Sequence, residues 1–117
     1  MKESILFEKS RNFAIEIIHL SKKMNEDKRE FVLSKQILRS GTSIGANISE
    51  ARFAQSIYDF ISKMSISLKE ANETYYWLDL LMETGYIDLE KGEILKGKCL
   101  EIIRMLQASV KTSKEKL

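Results

Sequence analysis

Apolar residues recur at steps of three and four along almost the whole chain, and breaks in that rhythm divide it into four amphipathic helices. The first is expected from about Ser4 to Met24, with Phe7, Ala14, Ile17, Ile18 and Leu20 as its core stripe and the polar run Asn25-Glu-Asp27 ending it. The second is expected from about Lys28 to Phe53, its core side formed by Leu33, Ile37, Ile44, Ile48 and Ala51. Ser56 followed by Asp59 has the form of a capping box with the shorter acid and sets the next turn. Ile57, Ile61, Met64, Leu68, Ala71, Tyr75, Leu78 and Met82 then alternate steps of four and three, the heptad rhythm of bundle packing. Gly85 marks the end of that helix, and Asp88 caps a fourth whose inward residues are Leu95, Cys99, Ile102, Leu106 and Val110. Gly92 and Gly97 predict fraying of its first turns, and residues 111–117 read as a loose tail. Short connections between such helices favour antiparallel neighbours, so the pattern predicts an all-α, up-down four-helix bundle filling residues 1–117 as a single domain.

Two helices carry a second stripe. Ile66, Glu70, Glu73, Trp77 and Leu80 lie opposite the core seam of the third helix, and Val32, Lys35, Arg39, Thr42, Ala46 and Phe53 opposite that of the second. A monomeric bundle has no use for a second apolar face, so these stripes predict an oligomer. The acids of one stripe and the cations of the other predict that they pair between subunits.

Composition narrows the class. The chain has no proline, which suits uninterrupted helices. Its one cysteine, Cys99, has no internal partner, and the start of the chain lacks the apolar run of a signal peptide; both predict a cytoplasmic protein. No stretch approaches the ~18 apolar residues of a membrane span. Formal net charge is only +2, so nucleic-acid contact would depend on local patches. Residues 55–87 hold Lys63 and Lys69 against Asp59, Glu70, Glu73, Asp79 and Glu83, while the flanking regions are basic. The candidate phosphate contacts are Lys22, Lys23, Lys28 and Arg29 around the first turn, Arg52, and Lys111, Lys114 and Lys116 in the tail.

Chemistry of other kinds is thinly represented. Glu16-Ile-Ile-His19 has the Glu-x-x-His spacing of di-iron bundles, but a second such pair is needed and His19 is the single histidine. Glu70 and Glu73 have no nucleophile beside them, and Glu50 and Asn47 suit polar contacts between helices. Gly41 and Gly45 lack the Lys-Ser/Thr ending of a phosphate loop and read as positions of close helix approach. Cys99 reads as a packing residue. No catalytic residue, cofactor or metal is expected.

The segment Arg39-Ser-Gly-Thr-Ser-Ile-Gly-Ala-Asn-Ile-Ser-Glu-Ala-Arg52 concentrates small residues inside a helix, and the acidic, aromatic Leu68-Lys-Glu-Ala-Asn-Glu-Thr-Tyr-Tyr-Trp-Leu78 follows it. Together these blocks resemble the 23S rRNA intervening-sequence proteins, small bacterial four-helix bundles. The resemblance implies a ring-like homopentamer associated with structured RNA or a ribonucleoprotein. The related accessory protein of diversity-generating retroelements is a basic ring that binds nucleic acid and a reverse transcriptase, and the present chain departs from it in being nearly neutral. A second expectation is an oligomeric scaffold that docks a protein partner without touching RNA.

Overall fold

The computed structural model describes residues 2–117, with side chains from Ser4 onward. Four α-helices follow in order: α1 (Lys2–Lys28), α2 (Leu33–Ala51), α3 (Ile57–Glu83) and α4 (Leu89–Glu115). They pack as an elongated bundle of 47 × 21 × 20 Å, with α2 between α1 and α3, and α4 against α3.

The turns show why the helices stop where they do. Arg29 adopts a left-handed backbone, φ 52°, which lets Glu30 N–H return to Met24 O. Helix α1 therefore runs through the Asn25-Glu-Asp27 segment expected to end it, and α2 starts at Leu33, not Lys28. Val32 precedes α2 without offering a side-chain cap; Glu30 Oε1 accepts the Ser34 N–H at 3.0 Å instead. The Ser56 half of the expected capping box forms, with Asp59 N–H donating to Ser56 Oγ, while Asp59 Oδ2 accepts from Gln55 N–H, one residue before the cap. After α3, Gly85 takes φ 83°, its N–H bonding to Met82 O and that of Tyr86 to Leu81 O, a Schellman ending. Asp88 Oδ1 accepts the Lys91 N–H at 2.8 Å and starts α4. That helix is continuous: Gly92 is buried against Met82, so packing offsets the glycine cost, and residues 111–115 are helical where a loose tail was expected.

The α1 core stripe also differs from expectation. Leu6, Ser10, Phe13, Ile17, Leu20 and Met24 face inward, whereas Phe7 and Ala14 are half-buried and Ile18 is 40% exposed. On α3, Met64, Ala71, Leu78 and Met82 are buried as the heptad predicts, although Ile57 at its first turn is open to solvent.

The glycines and hydroxyls of α2 set the spacing of its neighbours. Gly41 abuts Ile17, and Gly45 abuts Ser10, so α1 settles directly onto the backbone of α2. On the other flank Ser67 Oγ donates to Ile44 O at 2.8 Å, and Thr74 Oγ1 lies 2.9 Å from Ser40 Oγ. Buried hydroxyls are tolerated here because backbone carbonyls accept them. Helices α1 and α4 approach each other less closely than the other adjacent pairs, and clefts of about 360, 340 and 190 Å³ line their seam.

Candidate nucleic-acid interface

The antiparallel order fixes which cations share an end. Residues 29–32 and 84–88 form one end; residues 52–56, the start of α1 and the finish of α4 form the other. Lys22, Lys23, Lys28 and Arg29 therefore lie at the end opposite Arg52, Lys111, Lys114 and Lys116, with the length of the bundle between them.

At the first end Lys23 and Lys28 join Lys91, Asp27, Asp88 and Tyr86 around the 360 Å³ cleft between α1 and the α3–α4 turn. Glu26, Asp27, Glu30, Glu83, Asp88 and Glu90 crowd the same end, so its cations sit in a mixed field. At the other end Lys111 and Lys114 line an open groove between α3 and α4 with Leu68, Gln107, Val110 and Glu115. Because α4 continues to Glu115, both lysines are held on a helix. Arg104, exposed and seven residues before Lys111, falls on the same face; the i, i+7 spacing is its signal in the sequence, and it counts only because the helix continues past Lys111. Arg52 caps the C-terminal end of α2, its guanidinium 4.5 Å from the Phe7 ring centroid. Among the described residues none of the eight candidate cations is in an ion pair.

The residues expected at an oligomer interface are placed unevenly. Val32 and Phe53 fall outside α2, so its reverse stripe shortens to Lys35, Arg39, Thr42 and Ala46. The pairing expected between subunits forms within one chain: Arg39 reaches Glu70 at 3.5 Å and Glu73 at 3.3 Å, because the reverse faces of α2 and α3 border the same outer groove. Trp77 packs against the core, its indole N–H buried and without an acceptor; Leu80 is half-buried and Ile66 is 42% exposed. Ile15 and Ile18 on α1 are also exposed, although Ile18 is expected on the core stripe.

The remaining ionisable groups act between helices. Glu16 accepts from Lys98 at 2.7 Å rather than joining His19, which is exposed, and Lys9 pairs with Glu101; both links cross the α1–α4 seam. Glu50 pairs with Lys63 at 3.0 Å, as expected for a contact between helices, whereas Asn47 donates to Ser43 O within α2. The hydrogen bond to Glu50, and then its charge, raise the Lys63 pKa; Asp79 does the same for Lys96. Burial pushes the Cys99 thiol up to about 12, and its S–H points to Ala71 O at 3.3 Å. The arrangement offers phosphate-directed charge and surface contact, with thiol chemistry suppressed.

The fold has a close counterpart among solved structures. A protein of unknown function from the S23 ribosomal protein family of Bacteroides thetaiotaomicron superposes with a TM-score of 0.93 and 52% identity, covering 95% of this chain and 99% of that one. No curated protein matches significantly. The family described as 23S rRNA-intervening sequence protein matches residues 2–108. With the same four helices and a match over nearly its whole length, the chain belongs to the 23S rRNA-intervening sequence protein family.

Proposed function

We propose that the protein is a non-catalytic, oligomeric component associated with RNA or a ribonucleoprotein in the cytoplasm, contacting phosphates through local basic patches. The observation that carries this reading is the segregation of charge along α4. Its first half balances Glu90, Glu93 and Glu101 against Lys91, Lys96 and Lys98, whereas its second half carries Arg104, Lys111 and Lys114 against Glu115 alone, with Lys116 just beyond it and Arg52 at the same end of the bundle. Cations near a helix C-terminus also complement its dipole, so the placement stabilises the helix while leaving ammonium groups open to a polyanion. The family's link to 23S rRNA supports RNA as that polyanion.

Oligomer formation completes the reading. Exposed Ile15, Ile18 and Ile66 supply apolar outer surface for a neighbouring copy, and a ring of five is the arrangement the family resemblance favours. Repetition would multiply weak phosphate contacts into useful avidity. The same apolar surface, with a net charge of only +2, favours the second reading of a scaffold that docks a protein without touching RNA.

Binding of the full chain to an RNA hairpin across a salt series tests the proposal. Affinity should fall steeply with salt, and Lys111→Glu/Lys114→Glu should weaken binding more than Lys22→Glu/Lys23→Glu. Absence of binding at low salt would reject RNA contact and leave the scaffold.

A further inference from the structure

The α2–α3 turn and the first turn of α3 each display an exposed aromatic ring. Phe53 is 81% exposed and Tyr58 70% exposed. This exposure belongs to a well-held turn: Arg52 N–H bonds to Ile48 O, Phe53 N–H to Glu50 O and Ala54 N–H to Ala51 O. The Ser56 cap then fixes the start of α3 just before Tyr58. Of the carboxylates beside the turn, Glu50 is engaged by Lys63 and Asp59 by the Gln55 N–H, while Glu115 lines the groove with Lys111 and Lys114. Arg52, held over Phe7, lies at the same end of the bundle as Lys111 and Lys114.

Held, exposed rings at the same end of a bundle as unpaired cations are suited to unpaired nucleotides, whose bases stack on aromatic faces while phosphates follow the positive charge. A second copy of the chain would bury the rings but gives no reason for the cations at the same end. We infer that this end of the bundle binds single-stranded RNA, with Phe53 and Tyr58 stacking on bases and Arg52, Lys111 and Lys114 holding the backbone. The inference rests on the RNA reading above and adds the state of the strand and the end that meets it.

The test compares a labelled oligoribonucleotide lacking self-complementarity with an RNA hairpin closed by a minimal loop, using the full chain. Phe53→Ala and Tyr58→Ala should each weaken single-strand binding about tenfold, leaving the salt slope and the hairpin affinity nearly unchanged. Lys111→Glu/Lys114→Glu should weaken both ligands and flatten both salt slopes. Both alanine positions are exposed, and unchanged helical circular dichroism would certify the fold. Equal loss for strand and hairpin, or no loss for either, would overturn the stacking role. A change of solution mass on removing the rings would assign them to contact between copies and overturn it as well. Hairpin binding without strand binding would reject this inference alone; failure of both ligands would reject the RNA reading with it.

Discussion

Gly41 of α2 faces Ile17 of α1 so closely that a methyl group at position 41 would lie 2.8 Å from Ile17 Cγ2 and 3.2 Å from its Cβ. Ile17 is fully buried, so it has little room to move aside. Gly41→Ala should therefore lower stability by about 1–3 kcal/mol despite the better helix propensity of alanine. Gly97→Ala, with nothing within 4 Å of the added methyl, should raise stability by about 1 kcal/mol. Urea unfolding of the two variants checks the contrast, and equal effects would contradict the close helix approach.

Arg29 holds the left-handed conformation that ends α1, φ 52°, without being a glycine. A side chain there costs about 1–2 kcal/mol, partly offset by its smaller loss of backbone entropy relative to glycine. Arg29→Gly is expected to stabilise the fold by up to about 1 kcal/mol, read as a higher urea midpoint with an unchanged denaturant slope. A lower midpoint would mean that the arginine side chain supports the turn.

The buried Cys99 thiol, held near 12 against an ordinary value of 9.0, makes stability sensitive to alkali. Above pH 9 the unfolded chain loses the thiol proton while the folded chain keeps it, so this contribution is full below pH 9 and lost progressively toward pH 12. Cys99→Ala should be less stable than the parent at pH 7.5, and the difference should shrink by pH 10 in reducing buffer. A constant gap between the two proteins would contradict the shifted thiol.

The helix count and most turn signals were legible because Ser56, Gly85 and Asp88 act through local backbone chemistry. The third helix was readable because its inward positions repeat over many turns. Helix α1 was harder. Ser10 and Ser21 interrupt its buried stripe, while Ile15 and Ile18 offer a rival apolar set at helical spacing. Hydroxyl groups enter the core where a carbonyl accepts them, Phe7 O within α1 for Ser10 and Ser34 O of α2 for Ser21. The end of α1 was misplaced because a left-handed arginine leaves no compositional mark.

The candidate site was legible in its residue types and obscured in its geometry. Lysines and arginines could be named, but the length of α4 decides whether Lys111 and Lys114 sit on a fixed face. Complementary charge at Arg39, Glu70 and Glu73 showed that the groups suit one another, without showing that one chain supplies all three. Phe53 fitted a helical stripe by spacing alone; the turn after Ala51 removed it from that stripe and opened it to solvent.

The close seating of α1 and α3 on the small side chains of α2 has a counterpart in the sparsely packed α1–α4 seam. The closest-packed partners are successive along the chain, whereas the first and last helices lie farthest apart of the adjacent pairs. Such wiring keeps loop-closure entropy small and belongs to the low-contact-order class that folds in microseconds to milliseconds. It also gives the bundle a preferred line of breathing: α1 and α4 can part across two exposed ion pairs while the hydroxyl-studded contact of α2 with α3 stays shut.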